Sequence, residues 1–151
     1  MRYSYKRAKD ILSDWANNEG FEEITFDHTD VSFIDWERDS LNIPKKIKIQ
    51  GKYNNETQVY IFLHELGHHQ LRKSWNKFEI RLPILAYTEE HGDKKDRRKI
   101  SYIVSSMEEE FKAWEEGYKL GGKLGIKINR ENWDKIRCKC LMGYIRYYGQ
   151  K

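Results

Sequence analysis

Residues 60–71 read YIFLHELGHHQL and decide the fold, because they place two histidines and a glutamate within five consecutive positions. His64 and His68 are four positions apart, so on an α-helix of about 3.6 residues per turn their imidazoles project from one face. Both rings can then reach one metal ion. Glu65 is rotated by one position from His64, which keeps its carboxylate out of that set of ligands but within reach of a water molecule on the ion.

The residues before the motif predict where its helix begins. Residues 54–57, Asn-Asn-Glu-Thr, supply capping side chains and an acidic first turn, and residues 60–63 form a short apolar run. The motif is therefore expected on a buried helix with a defined start.

The H-E-x-x-H spacing is typical of a hydrolytic zinc site. In such a site the neutral imidazoles of His64 and His68 hold the ion, and an open position keeps a water molecule. Glu65 is then the general base that takes the proton of that water. We expect one Zn²⁺ per chain.

Length and composition predict one α+β domain spanning residues 1–151. With 5 Trp, 10 Tyr and 6 Phe, and a hydrophobic fraction of only 38%, an aromatic core under a charged surface is expected. Residues 1–15 lack the apolar segment of a secretory signal, and no stretch is long enough to span a membrane, so a cytoplasmic protein is expected. Cys138 and Cys140 are too close for an ordinary disulfide and are predicted to be reduced thiols.

The chain carries 28 Lys and Arg against 24 Asp and Glu, and the positive excess lies in residues 91–151. A basic region can attract nucleic acid or another acidic partner. Because no recognised nucleic-acid motif accompanies the charge, we interpret it as the solvated faces of amphipathic helices. The expected partner is a protein or peptide substrate.

Periodicity predicts an opening helix and a short sheet of three or four strands before the motif. Apolar residues recur at helical spacing in residues 5–15, and residues 22–27 and 31–36 are predicted strands joined near residues 28–30. A third strand is predicted in residues 46–53, where lysines alternate with apolar residues. Lysines are typical of an exposed edge, which either is simply protected or pairs with an extended substrate.

The residues after the motif predict a helical C-terminal part. Residues 78–87 are apolar without a clean period, so a strand, a lid and a packed loop are all compatible with them. Residues 89–99 are charged and predict an exposed connection. Two helices follow, and each has a predicted core stripe. The first stripe is Ile100, Ile103, Val104, Met107, Phe111, Trp114 and Tyr118, and the second is Trp133, Ile136, Cys140, Tyr144 and Tyr148.

A third metal ligand is expected downstream of the motif. The metzincin pattern is excluded, because Leu71 and Ser74 stand where it needs Gly and His. The remaining candidates are His91 and the glutamates of the first of these helices.

The predicted stripe ranks those glutamates. At about 100° per residue, Glu109 points away from the stripe and Glu108 lies near a right angle to it. Glu110 lies on the flank of the stripe and points inward most readily. Glu115 lies on the opposite flank at a similar angle, so it stays a candidate.

The motif, together with Glu-Phe-Lys-Ala at residues 110–113, resembles the gluzincin branch of the zinc metallopeptidases. It is most similar to small intracellular members such as the ImmA/IrrE-like proteins and the minigluzincins, over residues 46–118. The resemblance implies a small zincin-like fold whose C-terminal helical part carries the third ligand. It also implies zinc ligation by His64, His68 and Glu110, with Glu65 as general base.

The chain departs from that pattern at two places. Trp114 stands where the family often has Asp or Asn, which removes an acceptor for an imidazole N–H, so the orientation of the histidines must come from elsewhere, such as a backbone carbonyl. The charged connection around His91 also differs, and it keeps a SprT-like three-histidine site open. His69 is rotated off the metal face and is expected at the surface.

The expected function is zinc-dependent hydrolysis of peptide bonds in an intracellular protein or peptide. The alternative implied by the resemblance to ImmA/IrrE-like proteins is a zinc-binding regulator that recognises a protein partner with little or no general proteolysis. Tyrosines and an arginine near the C-terminus are candidates for stabilising an oxyanion, but Tyr144 and Tyr148 also belong to the predicted core stripe, which favours packing. The candidates are Tyr144, Arg146, Tyr147 and Tyr148.

Overall fold

Six α-helices and one three-stranded sheet make up the computed structural model, which describes residues 4–27, 32–37 and 43–150. The predicted α+β class is confirmed. Along the chain the elements are α1 (Tyr5–Asn18), β1 (Glu23–Asp27), β2 (Phe33–Glu37), β3 (Ile43–Gln50), α2 (Asn55–Arg72), α3 (Trp75–Arg81), α4 (Pro83–His91), a 3₁₀ turn (Asp96–Arg98), α5 (Ile100–Lys123) and α6 (Arg130–Gly149). Within the described residues, no helix combines the length and apolar character needed to cross a bilayer.

The sheet has the order β1-β3-β2, so the predicted exposed edge at residues 46–53 is wrong. β3 lies in the centre, parallel to β1 and antiparallel to β2, with Ile47 opposite both Ile24 and Ile34. Alternation reports which face of a strand is buried, and it carries no information on backbone pairing. Ile47 and Ile49 are fully buried, while Lys46 lies 3.8 Å from Asp35 on the neighbouring strand. The predicted junction at residues 28–30 lies outside the described residues.

The motif helix α2 begins where the capping residues predict. The side chain of Asn54 accepts a hydrogen bond of 2.9 Å from the backbone N–H of Thr57 and caps the helix. Every residue from 58 to 67 is buried, so α2 is the central helix of the fold. The predicted opening helix is also confirmed, and α1 packs on α2 through Ala8, Leu12 and Ala16.

The buried face of α5 differs from the predicted stripe. Ile100, Val104 and Phe111 are 79%, 49% and 45% exposed, whereas Trp114 is buried as predicted. Small residues line the true interface, because α5 and α2 approach so closely that a side chain at Gly67 would overlap the Ala113 carbonyl and one at Gly117 would overlap the Leu63 carbonyl. The buried face is Ser105, Glu109, Ala113, Trp114, Gly117, Leu120 and Gly121.

We expect Gly117→Ala to lower the free energy of unfolding by about 3 kcal/mol, because the added methyl group forces α2 and α5 apart. Gly122→Ala on the same helix is the matched control, since nothing lies within 4 Å of a Cβ there. The control should gain about 1 kcal/mol from helix propensity. Urea denaturation of the metal-free proteins measures both, and equal stabilities would contradict the close approach.

Residues 78–87 form neither a strand nor a loop, which corrects the prediction for this segment. They divide between α3 and α4, and Pro83 at the start of α4 separates two helices too short to show a period. Phe78, Leu82 and Leu85 pack with Leu71 and Ala113 in a second small core. The predicted exposure of the following connection is confirmed for most of residues 89–99.

Candidate metal centre

α2 and α5 bring His64, His68 and Glu110 together. One ligand atom from each of the three residues lies within 4.8 Å of the other two. Glu110 Oε2 is 3.0 Å from His64 Nε2 and 3.4 Å from His68 Nε2. Ligand atoms at about 2.0–2.1 Å from a tetrahedral zinc ion lie about 3.4 Å apart, and the two separations from Glu110 are close to that value. Two imidazoles and one carboxylate are also a donor set that zinc accepts.

Glu65 lies beside this cluster without belonging to it. Its side chain is buried, and its Oε1 is 3.6 Å from Nδ1 of His64. Burial raises the pKa of Glu65, and the neighbouring His64 and His68 oppose that shift. The carboxylate also lines two cavities, so it meets the space that a substrate can enter.

The two histidines are oriented in different ways. The ring of His64 stacks on Trp114, with ring centres 4.4 Å apart and planes at 10°. His68 instead bonds through Nδ1 to Glu109 Oε1 at 3.0 Å. Trp114 therefore contributes an aromatic contact to His64. The hydrogen-bond acceptor for His68 is the Glu109 carboxylate, where a backbone carbonyl was predicted.

Glu109 was predicted to point away from the core, and this prediction is wrong. It is only 6% exposed and receives two hydrogen bonds from Arg72, at 2.6 and 2.7 Å. The small residues of α5 face α2. The buried face of α5 is therefore rotated from the predicted stripe of large apolar residues toward Glu109. An arginine four residues after His68 was the available sequence signal, since it supplies a partner for a buried carboxylate on the facing helix.

The charges of the centre are strongly coupled. Burial alone would lower the pKa of His68, but the negative charges of Glu110 and Glu109 raise it well above its ordinary value. Burial favours the protonated acids, yet the pKa of Glu110 is held well below its usual range by His68 and His64. Hydrogen bonds from Arg72 and His68 likewise lower the pKa of Glu109 to about 2. Glu109 and Glu110 are thus the carboxylates of the centre that are held in the ionised form.

The other predicted candidates lie away from the cluster. His91 is exposed at the end of α4 and pairs with Glu90 at 3.4 Å, and Glu108 and Glu115 are exposed on α5. A site that uses His91 in place of Glu110 is not formed in the described residues.

His69 is buried, so its predicted surface position is wrong. Its Nε2 bonds to Glu19 Oε2 at 2.8 Å, and the ring packs against Trp15, Phe21 and Trp36. Rotation away from the metal face turned this side chain toward α1 and the sheet and not toward solvent. Its role in the described structure is packing.

Two cavities share Ser32, Glu65 and Tyr144 in their walls. The larger, about 490 Å³, is mainly apolar and runs from His64 to α6, where Tyr147 and Tyr148 line it. The smaller, about 330 Å³, is mainly polar and runs from His68 along β2 to Glu89. The predicted core stripe of α6 therefore holds for Trp133, which is buried, whereas Tyr144 forms part of the cavity wall.

Burial raises the pKa of Tyr144, and the charges of Glu110 and Glu65 raise it further. This hydroxyl therefore keeps its proton, and it shares a side-chain hydrogen bond with Glu110. The two cysteines of α6 are free thiols, as predicted, and Cys140 lies in the wall of the larger cavity.

No protein-family model, curated protein or solved structure matches the chain. The interpretation of this centre therefore depends on its own geometry and chemistry.

Proposed function

We propose that the protein is a zinc-dependent peptidase that hydrolyses peptide bonds in a protein or peptide substrate. The observation that carries this proposal is the position of Glu65, a buried carboxylate that lies beside His64 of the ligand cluster and lines both cavities. A ligand cluster alone would suit a structural site. A carboxylate beside it that also faces a cleft is what hydrolysis needs.

The residues divide the chemistry among them. A zinc ion held by His64, His68 and Glu110 would supply Lewis acidity toward a scissile carbonyl and acidify a water molecule. Glu65 accepts the proton of the attacking water and delivers it to the leaving amine, so it begins and ends the cycle ionised.

The edge of β2 is where we propose that an extended substrate docks. Among the described strands, β2 pairs only with β3, and no described strand pairs with its other edge. Ser32, Phe33 and Ile34 line the smaller cavity together with Glu65 and His68. A peptide added to this edge would thus pass the centre, held by main-chain hydrogen bonds with little dependence on its sequence. β2 replaces β3 as the docking strand.

The larger cavity favours a substrate with a large apolar side chain next to the cleaved bond. Its volume falls within the range of about 300–1,000 Å³ that is usual for ligand sites. Three tyrosines and Ile61 form most of its apolar wall: Tyr144, Tyr147 and Tyr148. His64 and Glu65 stand at its inner end.

We expect Gly143→Leu to change this preference, because Gly143 lines the cavity and has open space around a Cβ. The added side chain should lower kcat/KM for large apolar residues by about 10–100-fold relative to small ones. Gly149→Leu is the matched control, since it also lies on α6 in open space but does not line the cavity. An unchanged ratio of the two kcat/KM values would show that the substrate's apolar side chain does not bind in this cavity.

A peptide library digested by the zinc-loaded chain tests the proposed activity. Cleavage products identified by mass spectrometry, and lost on chelation of the metal, are the expected result. A partner protein that binds the Glu65→Gln variant as well as wild type, and is never cleaved, would instead support the regulatory alternative.

A further inference from the structure

The two nitrogens of His68 face different carboxylates. Nε2 lies 3.4 Å from Oε2 of Glu110, within the ligand cluster, and Nδ1 lies 3.0 Å from Oε1 of Glu109, outside it. An ionised carboxylate only accepts hydrogen bonds, so Nδ1 carries a proton in this contact. In the neutral ring, the lone pair is then on Nε2, which is the nitrogen that faces the cluster.

Arg72 fixes the carboxylate that performs this task. Its Nε and Nη2 donate to Oε1 and Oε2 of Glu109, and its Nη1 and Nη2 donate to Glu89 at 2.7 and 2.8 Å. The guanidinium also lies over the ring of Phe78, 4.6 Å from its centre. Glu89 of α4 and Phe78 of α3 thus hold the Arg72 guanidinium, which in turn holds both oxygens of the Glu109 carboxylate.

Arg72 and His68 lie on the same helix, α2. Arg72 follows His68 by four residues, so both side chains leave one face of α2 and meet the same carboxylate of α5. A second hydrogen-bonded carboxylate on a metal-binding imidazole orients the ring and increases its basicity. Nδ1 of His64 instead lies 3.6 Å from Glu65 Oε1, too far for a hydrogen bond, and the ring stacks on Trp114.

We propose that Glu109 is a positioning residue for His68 and that Arg72, anchored by Glu89, holds Glu109 in place. This inference rests on the proposed zinc site. Trp114 stands where the family that the motif resembles often carries an acceptor for an imidazole N–H. Glu109, the residue directly before the ligand Glu110, supplies such an acceptor in this chain. The buried ion pair is thereby assigned to the metal centre in addition to its packing role.

Zinc affinity of the full chain tests this role, measured by competition with a chromophoric chelator. Glu109→Gln should weaken zinc binding by about 10–100-fold, because the amide is neutral and orients His68 less well. It should also shift the visible absorption of the cobalt(II)-loaded protein, which reports ligand geometry and not stability. Glu108→Gln, exposed on the same helix, should match wild type in both measurements.

Unchanged zinc affinity and an unchanged cobalt spectrum in Glu109→Gln would overturn the inference, even if that variant melts at a lower temperature. Nitrogen-15 NMR of the zinc-loaded wild type provides a test that needs no variant: His68 should be protonated at Nδ1 and metal-bound at Nε2. Zinc bound to Nδ1 of His68 would overturn this inference but not the proposed function. Absence of any zinc binding by wild type would instead overturn the proposed function on which it rests.

Discussion

Glu65→Gln is expected to abolish peptide hydrolysis while leaving one zinc bound per chain. Glutamine has nearly the shape of glutamate but cannot accept the proton of an attacking water. General base catalysis commonly contributes about 10²–10⁴-fold, so kcat should fall by at least about 100-fold. Because Glu65 lies outside the cluster of His64, His68 and Glu110, zinc affinity should change little.

The measurement pairs hydrolysis of a cleaved library peptide with zinc content in the same preparation. Glu115→Gln is the control, since Glu115 is an exposed glutamate on α5 away from the cleft. Full activity of Glu65→Gln would reject Glu65 as the base. Loss of zinc together with activity would instead place Glu65 among the ligands.

Glu110→Ala is expected to weaken zinc binding by more than about 100-fold. Loss of a residue that only hydrogen-bonds to a metal ligand typically weakens binding by about 10–100-fold, and loss of a ligand should cost more. The substitution removes the carboxylate whose Oε2 lies within 3.4 Å of both imidazoles. His64→Ala should have a comparable effect, since it removes a nitrogen from the same cluster. The loss should also exceed that in Glu109→Ala, because Glu109 reaches only the outer nitrogen of His68.

Glu115→Ala is the matched control for ligand loss, and chelator competition measures all four variants. It removes the same carboxylate from the exposed face of the same helix. Equal zinc affinities in Glu110→Ala and Glu115→Ala would reject Glu110 as a ligand. Equal affinities in Glu110→Ala and Glu109→Ala would reject the division between a ligand and a positioning residue.

The motif helix could be predicted from sequence because its signals are local. The cap at Asn54, the apolar run before His64 and the four-residue spacing of the histidines all act within one helix. Proximity of Glu110 also followed from the sequence, although by an incomplete argument. The predicted stripe of α5 placed Glu110 on its flank, and the observed face of small residues leaves both Glu110 and Glu109 beside α2.

The errors share a physical cause, which is that they concern contacts between distant segments. Small residues such as Gly117 pack closely only when a particular partner approaches, so large residues such as Phe111 dominated the predicted stripe. Arg72 could have indicated from the sequence that a carboxylate is buried on the facing helix, but the choice of Glu109 depends on how α2 and α5 pack together. Strand order likewise depends on pairing between segments, and alternation in β3 could not reveal that it lies between β1 and β2.

The metal content of the purified wild-type chain tests the central claim most directly. Native mass spectrometry after zinc reconstitution and removal of excess metal should give one zinc ion per chain. A protein that holds no zinc under these conditions would contradict the proposed centre. His64, His68 and Glu110 would then be a hydrogen-bonded cluster between α2 and α5, with no part in metal-dependent hydrolysis.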